Sequence, residues 1–190
     1  MRRDHSKDMK SIENIRDAFL EHIVIYFKSG FAPKSLLRTF IDNWYAYEKA
    51  SKGITYFLNK NGNPIWFNKP DPIKNKSALL EMDFISEGAK KLILSEDQTI
   101  LINNKHHRLI KEHSIPVASL YEILRKEENL NVDKTELILQ KYYKLGVLTK
   151  SEDDLLNSNG LRSKMPPKWD RENVFARYDA IGIKNQKPFM

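Results

Sequence analysis

Between Ser11 and Ser29 the apolar positions Ile12, Ile15, Phe19, Ile23 and Tyr26 recur at intervals of three and four, the stripe that an α-helix turns toward a core, and Gly30 follows as a stop. A second stripe, Leu36, Leu37, Phe40, Ile41, Trp44 and Tyr47, runs through 35–50 behind Pro33, which suits a first helical turn. The short link between them predicts an antiparallel helix pair. The period then changes. Ile54-Thr55-Tyr56-Phe57-Leu58 and Ile65-Trp66-Phe67 are β-branched and aromatic, and they flank Asn59-Lys60-Asn61-Gly62-Asn63-Pro64, where Asn61-Gly62 is a strong hairpin signal. A two-stranded ribbon is marginal by itself, so it is expected to lie on the helices or to find a third strand, with Thr99-Ile100-Leu101-Ile102 as the candidate. Pro70 and Pro72 end the pairing and mark 68–76 as a polar loop.

Helical spacing returns downstream. Ser77 is placed to cap a helix over 78–94 with Leu79, Met82, Ile85, Ala89 and Leu92 inward, in which Gly88 costs about 1 kcal/mol relative to alanine. Pro116 opens a helix to about Lys126 carrying Leu120, Ile123 and Leu124, and Asp133 caps another over 134–145 that Gly146 is expected to end. Thr149-Lys150-Ser151-Glu152 has the spacing of a capping box, so a short helix to about Asn157 follows. From Ser158 the chain becomes an irregular strap with Gly160, Met165, Pro166 and Pro167, after which Asp170 is placed to cap a last helix over 171–180 ended by Gly182. Trp169, Phe175 and Tyr178 give the strap aromatic surface with which to dock, in order at least to Ile183. The sum is an α+β fold, mainly helical, with a small β-hairpin or three-stranded sheet: a single domain over 1–157 and a C-terminal strap over 158–190.

Composition narrows the function classes. With 41% hydrophobic and 30% charged residues among 190, the chain can bury enough surface to fold. The absence of cysteine excludes disulfides, thiolate zinc sites and cysteine nucleophiles, and fits a reducing, cytoplasmic setting. The charged start, Met1-Arg2-Arg3-Asp4, does not read as a secretory leader, and the apolar run from Ile23 to Phe27 is too short to cross a bilayer, so no membrane partner is expected. A formal charge of +7 favours polyanions such as nucleic acid, DNA or RNA, or acidic lipid. The 32 cations are nonetheless dispersed and diluted by 25 carboxylates, and a surface of that kind also serves solubility.

Candidate chemistry concentrates in 103–116, which holds three of the five histidines, His106, His107 and His113, together with Lys105, Arg108, Lys111 and Glu112. Glu112-His113-Ser114-Ile115-Pro116 resembles the opening element of HNH-type nucleases. That resemblance implies His113 as general base on a water attacking a phosphodiester, Glu112 beside it, and one divalent metal, Mg or Mn. His106 and His107 are the further metal-ligand candidates, although as neighbours they point in different directions along a regular element. No histidine follows His113, so the family's third position would fall to Asn129, Asn131 or Asp133. At helical spacing Lys105, Arg108 and Lys111 would form a basic ridge suited to phosphate. A second basic cluster, Arg162, Lys164 and Lys168 with Trp169 and Tyr178 nearby, mixes cations with rings, the pairing that holds single-stranded nucleic acid.

The helices expected over 118–126 and 134–145, followed by Leu145-Gly146-Val147-Leu148-Thr149, are similar to the helix-turn-helix and strand entry of winged-helix DNA-binding domains. That resemblance implies Lys134, Thr135, Gln140 and Lys141 facing a major groove. The six-residue link and the capping box at Thr149 depart from that pattern. Glycine-rich phosphate loops, nucleophile elbows, His-Glu-x-x-His pairs and EF-hand loops are absent, and Glu96-Asp97 and Glu152-Asp153-Asp154 read as structural carboxylates. The expectation is therefore a nucleic-acid-associated protein, a metal-assisted nuclease working through His113, with a non-catalytic DNA-binding or protein-interaction module as the alternative.

Overall fold

The structure, a computed structural model, describes residues 5–30, 34–65, 70–95 and 108–186, with side chains from Lys10 to Asn185. The fold is α+β and mainly helical. Its elements are α1 (His5–Lys28), α2 (Lys34–Ser51), a 3₁₀ turn (Thr55–Phe57), α3 (Lys76–Leu80), β1 (Phe84–Ser86), α4 (Glu87–Leu94), β2 (Leu109–His113), α5 (Val117–Arg125), α6 (Val132–Tyr142), β3 (Leu145–Thr149), α7 (Lys150–Ser158), α8 (Ala176–Asp179) and β4 (Asn185–Gln186). The chain divides into two compact units, one made of Met1–Trp66 with Tyr121–Lys141 and the other of Phe67–Leu120 with Tyr142–Met190.

In the first unit α1 packs on α2. Arg16 meets Glu48 at 3.3 Å, Phe19 stacks on Tyr47 at 5.8 Å and His22 meets Phe40 at 5.6 Å, so partners fall along α2 as they rise along α1 and the pair is antiparallel. Of the two predicted stripes Ile23, Leu37 and Ile41 are completely buried, together with Leu20, whereas Ile15 and Leu36 are exposed. The predicted hairpin is only partly realised. Its Asn-Gly turn forms, with Gly62 N–H donating to Asn59 O at 2.9 Å and Gly62 at φ +78°, but the flanks share a single bridge, Leu58 with Pro64. Tyr45 draws Phe57 into an edge-to-face contact at 5.5 Å, and Thr55–Phe57 winds into a 3₁₀ turn instead of a strand. Trp66 and Phe67 lie outside the described residues, as does the suggested third strand, 99–102.

In the second unit the strands sit in the order β2-β3-β1-β4. β2 runs antiparallel to β3 from Leu109↔Thr149 to His113↔Leu145, β1 runs parallel to β3, and β4 antiparallel to β1. The helix expected over 78–94 is split into α3 and α4 by β1, because the Asp83 carboxylate accepts from Leu145 N–H at 2.9 Å and Ser86 Oγ caps α4 by accepting from Ala89 N–H at 3.0 Å. Gly146 is not a helix stop. α6 ends at Tyr142, and Gly146 lies inside β3, where a Cβ would come within 2.5 Å of the Phe84 ring and closer still to its carbonyl oxygen. Gly88 has a similar reason, since a Cβ there would meet Glu152 Oε1 at 2.9 Å.

The capping box at Thr149 forms as predicted. Thr149 Oγ1 accepts from Glu152 N–H, and Glu152 Oε2 accepts from Thr149 N–H at 2.7 Å and from Ser86 Oγ at 2.5 Å. From the strap, Leu161, Tyr178 and Ile183 join Phe84, Leu148 and Leu156 in one buried cluster. Its last helix is shorter than the predicted 171–180. Asp170 Oδ1 accepts from Glu172 N–H at 2.9 Å and from Asn173 N–H at 3.3 Å, closing a turn, and only Ala176–Asp179 is helical.

Candidate nucleic-acid interface

A completely buried arginine organises the strap. Arg177 lies at 0% exposure, where an unpaired guanidinium would be severely penalised, and every side of its fork meets an acceptor. Nε donates to Ser114 O at 2.9 Å, and Nη1 donates to Leu161 O and Arg162 O, each at 3.1 Å. Nη2 donates to Glu112 Oε1, to His113 O and to Tyr178 Oη. Ser114 N–H donates to Lys144 O, which fixes the ladder phase: His113 occupies a non-hydrogen-bonded pair, and its carbonyl faces away from β3. Arg177 and the Tyr178 hydroxyl, at 2.8 Å, satisfy that carbonyl and so seal the end of an edge strand. Burial pushes the Tyr178 phenol well above its usual range. The Arg177 charge pulls the other way, and the Glu112 charge adds to the rise.

This clamp occupies the residues expected to be catalytic. Glu112 is ion-paired to Arg177, and His113 is only 5% exposed, its ring against the edge of Tyr143 at 5.2 Å. In place of a water-exposed base beside a free carboxylate, the pair forms the socket of a structural arginine. Arg108 and Lys111 do not share a helical face, because 109–113 is a strand; Arg108 precedes it exposed, and Lys111 is half-buried within it. Lys105, His106 and His107 lie outside the described residues. Among the described residues no three of His, Asp and Glu converge as a metal site would require.

The major-groove residues implied by the winged-helix resemblance are mostly engaged. Thr135 is fully buried and donates to Asn131 O at 2.7 Å, Lys134 Nζ donates to Glu127 Oε1 at 2.7 Å, and Gln140 donates to Glu136 Oε1 at 3.2 Å. The exposed positions of α6 include Asp133 and Leu137, which do not suit a phosphate surface. The first unit also has a groove of about 660 Å³ between Ser11, Ile12, Ile15 and the 58–63 turn, but its lining has neither carboxylate nor imidazole.

The strap cluster fares differently. Arg162, Lys164 and Lys168 are exposed as the cluster requires, and Arg171, which the sequence pattern did not single out, is exposed with them. Arg162 approaches Asp153 at 3.9 Å, a loose pair. Trp169 is half-buried, its Nε1–H donating to Asn173 O at 2.7 Å and its ring 6.2 Å from Tyr142. Tyr178 belongs to the core and is not available for stacking. Arg177 was not singled out either; its sequence signal is an arginine directly between the apolar Val174-Phe175-Ala176 and Tyr178. No helix among the described residues is long and apolar enough to cross a membrane. Comparison with protein-family models, with characterised proteins and with solved structures finds no match for this chain.

Proposed function

We propose that this protein binds nucleic acid through its C-terminal strap and does so without hydrolysis by His113. The observation that carries the reading is the combination of a strap tied down by the buried Arg177 and four cations, Arg162, Lys164, Lys168 and Arg171, exposed along it. A loop already ordered by its own core loses little further entropy when a polyanion arrives. Exposed cations on such a loop neutralise phosphates and release counterions, and the formal +7 of the whole chain adds long-range attraction. The same clamp argues against catalysis at Glu112 and His113, since it uses the first as a counterion and encloses the second.

Fluorescence anisotropy with a labelled oligonucleotide tests this. Replacing the four cations by alanine is expected to weaken binding at least ~10-fold and to flatten the salt dependence, in log–log slope, by about 0.7 for a single strand or about 0.9 for a duplex for each phosphate that is no longer neutralised. An unchanged affinity in a folded quadruple variant would overturn the assignment. With Mg²⁺ or Mn²⁺ added, plasmid is expected to stay intact; nicking that His113→Ala abolishes at an unchanged circular dichroism spectrum would restore the hydrolytic reading.

A further inference from the structure

Within the strap, Lys168 stands in a conformation that suits glycine. Trp169 N–H donates to Pro166 O at 3.3 Å, so Pro166-Pro167-Lys168-Trp169 closes as a turn, and Lys168 has φ +61°. Proline at the second position and positive φ at the third correspond to a type II turn, whose third position takes glycine because a Cβ there is strained. Arg171, at φ +68°, is offset locally: the Asp170 carboxylate accepts the two backbone N–H groups that follow it. Lys168 has no such compensation, and among the described residues its ammonium makes neither an ion pair nor a hydrogen bond. Strained residues of this kind persist where the surrounding structure over-determines them, and they cluster at functional sites.

Beside it lies a ring that cannot swing freely. The Trp169 indole is held at Nε1 by Asn173 O and rests against Tyr142, so a fixed aromatic surface adjoins a cation whose backbone direction is set by the turn. On the reading proposed above, we infer that the Lys168–Trp169 turn selects unpaired nucleic acid: a base stacks on the Trp169 indole while Lys168 takes the adjoining phosphate. A duplex keeps its base faces stacked inside and offers this element only phosphates, whereas a single strand satisfies both residues.

The test compares one labelled oligonucleotide, single-stranded and annealed to its complement, against the full chain. The wild type is expected to prefer the single strand by ~10-fold or more, in line with stacking contributions of this type. Lys168→Gly is expected to raise the melting temperature while weakening single-strand binding several-fold, a pairing of effects that a merely structural lysine would not show. Trp169→Phe, which keeps a ring in place, is expected to lose less single-strand affinity than Trp169→Leu. Equal affinity for the two forms, or a Lys168→Gly protein that binds the single strand like wild type, would overturn this inference and leave the strap's binding role standing. No binding of either form would remove both.

Discussion

Arg177 shows how one side chain can set the architecture of a segment without touching a ligand. Its removal, as Arg177→Met, leaves the Glu112 carboxylate without its counterion and the carbonyls of Leu161, Arg162, His113 and Ser114 short of donors. The expected loss is about 3–5 kcal/mol, read from urea unfolding, and Glu112→Gln in the same chain should recover part of it because no charge is then stranded. Tyr178 gives a second residue-scale prediction. Its phenol is raised above the usual value by burial first, so the folded chain keeps a proton that the unfolded chain releases at about pH 10. That contribution is whole below about pH 10 and is lost as pH rises beyond it. Unfolding curves taken across the alkaline range should show the decline, and Tyr178→Phe should remove this share of it while costing roughly 1 kcal/mol for the hydroxyl's bonds to Arg177 and His113. An arginine flanked by apolar residues was visible in the sequence. That its acceptors would come from 112–114 and 161–162 was not, because those carbonyls are assembled from positions far apart in the chain.

Elements differ in how far their own sequence specifies them. α1, α2, α5 and α7 follow the apolar spacing and the capping signals because each buries one stripe, and the Thr149 box satisfies backbone donors with residues only three apart. Thr149→Ala is expected to cost about 1 kcal/mol in thermal unfolding, the usual worth of an N-cap. β1 is illegible by the same rules. All three of its residues are buried, so no alternation marks it, and its Met82, Ile85 and Ala89 neighbourhood imitates helical spacing. The strand exists because β3 offers Gly146 beside Phe84. Gly146→Ala would drive a methyl group into the Phe84 ring and carbonyl, and a loss of roughly 2 kcal/mol or more is expected, whereas the same change at Gly62, with open space around it, should cost only the strain of its positive φ.

At the scale of the whole molecule, both compact units are assembled from segments separated in sequence. The strap is part of the second unit's core, since Leu161, Tyr178 and Ile183 close over Phe84, Leu148 and Leu156. A chain ended after Asn157 is therefore expected to lose the cooperative unfolding of that unit, which hydrogen exchange at β1 and β3 would report, and to lose oligonucleotide binding with it. Charge at this scale has a different legibility. The surplus of +7 could be counted from composition, and a basic cluster at 162–168 could be named, but which of the cations face solvent is read only from the folded chain, where Arg177 ties the Arg162 carbonyl.

Local periodicity and short-range caps were enough to set the helices and the mainly helical α+β class, because those signals act between residues a few positions apart. The strand order, the split of 78–94, the socket that enclosed Glu112 and His113, and the exposure of the strap cations were decided by packing between distant segments. A carboxylate, a carbonyl and a guanidinium have no preferred partners until folding brings them together, so a string of residues that resembled a catalytic motif became the anchor of the C-terminal strap.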